Sequence, residues 1–169
     1  MSGGSSAFAC RMCGQCCEGR GGIVVSPTDE ARLCRALRLD PPTFRERYTE
    51  QRNGKMHLRV GEDGRCLFFR ETGGCSVHVH KPAVCRAWPF FKGNLIDPVS
   101  FSLAKEYCPG ISRQVAHADF VAEGIQYIRH EELFADDRGK AGAALFTRED
   151  LEALARSVSD SAGERGKQA

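Results

Sequence analysis

The segment Cys10-Arg11-Met12-Cys13-Gly14-Gln15-Cys16-Cys17 constrains this chain more than any other. Four of its eight residues are cysteine, in a pattern with neither a helical nor a strand period, so no hydrophobic core accounts for it. Two residues between cysteines let a tight turn aim both sulfurs at one centre. C-x2-C pairs hold Zn²⁺ in this way, and C-x2-C-x2-C holds three corners of an iron–sulfur cubane. Cys66, Cys75, Cys85 and Cys108 add sulfur at longer range. The chain reads as a shell folded around a metal centre, its partner a metal ion.

Cysteines persist as thiols in the cytosol and as disulfides outside it, so compartment matters. The N-terminus, Met1 to Ala9, has neither the basic region nor the apolar core of a signal peptide. No apolar run approaches the roughly 18 residues of a membrane span. A cytoplasmic location is expected, where clustered cysteines bind metal more often than they form disulfides. Nine cysteines cannot all pair within one chain. A net charge of +2 excludes nothing sterically, but it is too small to point to nucleic acid or to an anionic membrane. A protein partner is left open.

With 169 residues, one α+β domain is expected: a small irregular cysteine-rich metal-binding core with short β-hairpin strands, flanked by helices. Residues 1–9 read as a flexible leader and 159–169 as a disordered tail. Residues 10–158 form the domain, with the motif region at 10–110 and a helical part at 111–158. Ile23-Val24-Val25 reads as a short strand. Ser26-Pro27-Thr28-Asp29 is a helix start, with Ser as N-cap, Pro in the first turn and Asp three residues on. That helix runs to about Leu39 and places Leu33, Cys34 and Leu37 on one face, which makes Cys34 a packing residue. Asp40-Pro41-Pro42 ends it, and a second helix, Thr43 to Tyr48, buries Phe44 and Tyr48. After the Asn53-Gly54 turn, Met56, Leu58 and Val60 alternate with polar residues as a strand. Its expected hairpin partner is Arg65 to Phe69, across the turn Gly61 to Gly64. Thr72-Gly73-Gly74 turns the chain again before Cys75. Lys81-Pro82 opens a helical turn carrying Cys85, Pro89 ends it, and Gly93-Asn94 is read as a turn. The longest helix is expected at about Arg113 to Phe134, followed by a link over Gly139 to Ala144. A last helix, capped by Thr147 and Asp150, runs to about Val158.

The eight cysteines other than Cys34 are the candidate metal ligands: Cys10, Cys13, Cys16, Cys17, Cys66, Cys75, Cys85 and Cys108. Adjacent side chains diverge, so Cys16 and Cys17 do not both fit one ion without strain. Either one of them is not a ligand or there are two metal positions. Zinc and iron both accept four thiolates, and the spacing of Cys10, Cys13 and Cys16 with a remote Cys108-Pro109 mimics a bacterial ferredoxin pattern. Arg11, Arg20, Arg65, Lys81 and Arg86 lie near cysteines in sequence and could offset thiolate charge, but each taken singly reads as a solvated surface group. Cys75-x-x-His78 has zinc-ligand spacing, while His78 and His80 on one face of an exposed strand would need no metal. Trp88, Phe90 and Phe91 read as core. A Cys75–His78 nucleophile is the competing enzymatic reading. There is no Gly-rich phosphate loop, no G-x-S-x-G and no H-E-x-x-H, so the balance leans away from an enzyme.

These blocks together resemble the YkgJ-like cysteine-cluster family, CxxCxxCC, of zinc- or iron-chelating domains. The resemblance rests on Cys10-x-x-Cys13-Gly14-x-Cys16-Cys17, Gly64-Arg65-Cys66-Leu67-Phe68 and Gly74-Cys75-Ser76-Val77-His78. Lys81-Pro82-x-x-Cys85-Arg86-x-x-Pro89-Phe90 and Cys108-Pro109-Gly110 complete it. It covers about residues 10 to 110, and it also includes the helix start Val25 to Asp29. Relatives carry Tyr and Arg where this chain has His78 and Lys81. The resemblance implies cysteine chelation of zinc or iron. A related cysteine region in flagellin lysine methylases implies an iron–sulfur centre and a role in protein modification.

Overall fold

Ser26 stands in extended conformation ahead of Pro27, and its hydroxyl accepts a hydrogen bond from the Asp29 amide at 3.1 Å. The Asp29 carboxylate in turn accepts from the Ser26 amide, which closes the capping box that starts α1 (Pro27–Leu37) in a computed structural model of the chain. The structure describes residues 6–19, 22–135 and 144–165, the last five as backbone. Arg20 and most of the expected Gly139 to Ala144 link fall outside them. The fold is α+β, with two two-stranded antiparallel sheets beside the helices among the described residues. The chain divides into two units, Cys10–Trp88 and Met1–Ala9 with Pro89–Ala169.

In the Cys10–Trp88 unit, Asp40 caps α2 (Pro41–Tyr48), with prolines filling first-turn positions that need no amide donor. Leu33, Cys34 and Phe44 from these two helices are buried with Val25, Leu58, Cys66, Phe68 and Val77. Tyr48 stacks on Phe68 with ring centroids 4.8 Å apart. Cys34 is thus a packing residue, and burial pushes its thiol above the ordinary value.

The strand pairing differs from expectation. β2 (Lys55–Leu58) pairs with β1 (Thr49–Arg52), not with Arg65 to Phe69. Asn53 and Gly54 both have positive φ, the signature of a two-residue hairpin turn, and this local closure wins over the longer one. β1 was not legible because Thr-Glu-Gln-Arg has no apolar alternation. The expected partner keeps one bridge, Val60 to Cys66. Ile23-Val24-Val25 lies on the other edge of β2 with one bridge, Val24 to His57. Phe69–Arg70 forms β3 and Gly74–Cys75 forms β4, joined through the expected glycine turn. His78–His80 is a 3₁₀ turn and not a strand. α3 (Ala83–Ala87) carries Cys85.

In the other unit, Gly93-Asn94 is inside a helix, α4 (Lys92–Ile96), where the Asn94 side-chain Nδ2 donates to the Pro89 carbonyl at 2.7 Å. α5 (Pro98–Tyr107) was not foreseen, although Asp97-Pro98 is a cap followed by a first-turn proline. α6 runs His117–Glu131, shorter than expected at both ends, and Glu132 in left-handed conformation stops it. α7 (Arg148–Arg165) is longer, so the sequence 159–165, expected to be disordered, is helical. Of the expected leader, 6–9 are packed: Ala7 is buried, Phe8 bridges to Ile111 and lies 6.0 Å from Phe90. Phe90 is buried against Phe120 and Tyr127, as its core reading required.

Candidate metal centre

The Cys10–Cys17 loop is folded back on its own unit by its glycine. Gly14 has φ +85°, and a Cβ built there would stand 2.3 Å from a Phe69 ring carbon. Only glycine permits both that backbone and that approach. Its carbonyl accepts from the Cys17 amide at 2.8 Å, starting a 3₁₀ turn over Gln15–Cys17. On the other side of the hairpin, Gly74 at φ +71° would place a Cβ 2.6 Å from the Cβ of Met12. The loop is thus pressed against β3 and β4, at whose end Cys75 stands.

Backbone bonds set the remaining neighbours. The Cys66 amide donates to the Cys17 carbonyl at 2.9 Å, and the Gly19 amide to the Gly64 carbonyl at 3.0 Å. Arg65 fastens the same join, with Nη2 2.9 Å from Glu18 Oε1 and its guanidinium 4.9 Å from the Phe69 centroid. The Phe69 amide donates to the Cys66 carbonyl, and the Ser76 amide and hydroxyl both donate to the Phe68 carbonyl, which holds Cys66 and Cys75 in one short hairpin region. Cys85 comes from α3, after Pro82, which is fully buried.

Four thiols influence one another: every pairing among Cys16, Cys66, Cys75 and Cys85 is felt electrostatically. Burial is the largest cause raising the Cys66, Cys75 and Cys85 thiols, and it raises Cys85 well above the ordinary value. For Cys16 the adjacent Cys17 thiol is the largest cause and burial the next, and together they raise it far above the ordinary value. Cys16 and Cys17 therefore meet at their side chains and do not diverge as expected. Among the described residues, no three cysteine, histidine or carboxylate side chains already stand close enough to hold an ion. A metal ion binds cysteine as thiolate, and ligation removes the thiol protons. The donor set fits a thiophilic ion such as zinc or iron: four sulfurs, with cations as the compensating charges. Lys81 lowers Cys16, Cys75 and Cys85, and Arg70 lowers Cys66.

The other predicted residues are placed differently. Cys10 acts on Cys75 from an exposed position. Cys13 is exposed, its thiol 3.5 Å from Gln15 Oε1. Cys108 is buried in the other unit, at the C-terminal end of α5. Lys81, read as a solvated charge, is half-buried, with Nζ 3.3 Å from His78 Nε2, and its charge is felt by Cys16, Cys75 and Cys85. Its place between Cys75 and Cys85 was the available signal. Burial, then Lys81, lowers the His78 pKa, so its ring is neutral at physiological pH.

A cysteine loop docked by its glycine on a hairpin that carries two further cysteines suits a metal-chelating protein. The family model CxxCxxCC, described as "Putative zinc- or iron-chelating domain", matches residues 9–109, and the chain belongs to that family. No curated protein and no solved structure matches the chain. No helix among the described residues is long and apolar enough to cross a membrane.

Proposed function

We propose that the chain chelates one zinc or iron ion through the thiolates of Cys16, Cys66, Cys75 and Cys85, in the cytoplasm, as a binding module and not as a hydrolase. The observation that carries this reading is the docking of the Cys10–Cys17 loop on the hairpin that holds Cys66 and Cys75, through Gly14 against Phe69 and the Cys66 amide on the Cys17 carbonyl. Four thiolates on a divalent ion leave two negative charges, and Lys81 and Arg70 supply compensating charge. Cys10 and Cys13 are exposed like Cys16, while Cys17 is half-buried against the core; the three outside the set of four are candidates for a second position or for exchange of the ion. Cys108 stays a candidate ligand on the family match, whose span ends just beyond it.

A second reading, an iron–sulfur centre serving a redox or protein-modifying enzyme, is favoured by Cys10 acting on Cys75, because it extends the sulfur set beyond four. One experiment separates the two. Anaerobically purified protein is assayed for zinc, iron and sulfide and for visible absorption. Stoichiometric zinc or iron without sulfide, lost in Cys66→Ala and Cys85→Ala, is expected. A folded protein without either metal overturns chelation, and a brown protein with labile sulfide replaces the single ion with the cluster.

A further inference from the structure

We infer that Asp29 is the positioning residue for Cys85, by capping α3 from outside that helix. This rests on Cys85 serving as a ligand only for its consequence in metal binding; the placement itself does not need a metal. Asp29 lies in α1 and is 2% exposed. Its Oδ2 accepts from the Ser26 amide at 3.2 Å and from the Ser26 hydroxyl at 2.8 Å. Its Oδ1 takes Arg32 Nη2 and, 54 positions on in the chain, the amide of Ala83 at 2.9 Å. A capping box needs only the first of these contacts. The bond to Ala83 belongs to another element.

Ala83 is the first residue of α3, and α3 has no cap of its own. Pro82, at its N-cap position, offers no side-chain oxygen. An uncapped first turn leaves amides without partners, and a helix of five residues is too short to hold itself. A buried carboxylate on α1 supplies the missing acceptor, and a negative charge there also favours the helix dipole. Cys85 stands two residues beyond Ala83. The ordering of its sulfur against Cys16, Cys66 and Cys75 therefore depends on a residue whose own helix carries no ligand. Asp29 acts through the backbone of α3 and not on a sulfur.

Ala83→Pro removes the donor and keeps the Asp29 side chain, but its ring Cδ takes the place of the amide hydrogen, so the carboxylate must turn away from α3. Proline is suited to a first helical position, and Pro82, at φ −54° and ψ 156°, already has the extended conformation required before a proline. Asp29→Ala removes the acceptor, and Ser26→Ala weakens α1 without touching the Ala83 bond. The readout is alkylation of Cys85 in reduced, metal-free full-length protein, quantified by peptide mass spectrometry, with Co²⁺ affinity measured from the thiolate-to-cobalt absorption. We expect Cys85 to be alkylated about tenfold faster in Asp29→Ala and in Ala83→Pro, from the loss of one hydrogen bond to a charged group. The double variant should be no faster than the singles, and Ser26→Ala should match wild type. Co²⁺ affinity should fall in the same two variants. Wild-type alkylation in Ala83→Pro, or equal acceleration by Ser26→Ala, overturns the assignment. Wild-type protein that takes no Co²⁺ overturns chelation instead, while the Cys85 rates still decide the role of Asp29.

Discussion

Replacing Gly14 by alanine separates two physical effects that coincide at that position. The φ of +85° is costly for any residue with a Cβ, by about 1–2 kcal/mol. The new methyl would also stand 2.3 Å from the Phe69 ring, and relieving such overpacking costs about 1–3 kcal/mol. The sum is about 2–5 kcal/mol. Gly54 provides the control. It has φ +71°, and a methyl group there would meet nothing within 4 Å, so Gly54→Ala should cost about 1–2 kcal/mol, the backbone part alone. Urea denaturation followed by the fluorescence of Trp88, the single tryptophan, reports on the unit that holds the cysteine loop. The difference between the two variants measures the close approach of loop and hairpin, expected at about 1–3 kcal/mol. Phe69→Leu in the Gly14→Ala background should recover part of it. If Gly14→Ala is no less stable than Gly54→Ala, the loop does not press on Phe69 and Cys16 is not held where the thiols converge.

Three further outcomes are expected. Cys34→Ala should cost about 1–2 kcal/mol as a large-to-small core change and leave metal content intact, whereas Cys66→Ala and Cys85→Ala should lose metal, all read by elemental analysis beside denaturation curves. Asp97 caps α5 through the Ser100 hydroxyl, first, and the Ser100 and Val99 amides, which together lower its pKa below the ordinary 3.8. A depressed folded pKa means stability present above the unfolded value and lost as pH falls through the folded one, so Asp97→Asn should be less stable than wild type at pH 7 and the gap should close as pH drops below 3.8. Treatment of purified protein with a chelator should lower the urea midpoint reported by Trp88, and added Zn²⁺ should restore it; an unchanged midpoint counts against coupled binding and folding.

Where sequence and structure agree, the signal was local. The capping box at Ser26 and Asp29, the proline start of α2, the buried face of Leu33 and Cys34, and the glycine turn before Cys75 each follow from residues within a few positions of one another. Where they differ, the deciding contact is distant or the element has no apolar pattern. β1 is wholly polar and exists because Asn53-Gly54 folds it onto β2. α5 turns apolar residues such as Val99 and Leu103 outward, so no periodicity revealed it. The cysteines announced metal chemistry, but the spacing within Cys10 to Cys17 could not say which of them approaches Cys66, Cys75 and Cys85. That depends on Gly14 against Phe69 and on the Cys66 amide reaching the Cys17 carbonyl, contacts between residues about fifty apart. The charge of Lys81 beside the thiols was hidden for the same reason.

The four proposed ligands span the chain from Cys16 to Cys85, 69 positions apart. An ion shared by all of them would act as a removable cross-link. By the chain-entropy relation for a closed loop of that length, such a link restricts the unfolded ensemble by about 4 kcal/mol, a large share of the stability of a small domain. Unlike a disulfide, it opens whenever a stronger chelator competes for the ion. Protein that has lost its ion would then visit unfolded forms far more often, and proteases would find it there. Metal supply would thereby govern how long each copy of the chain persists.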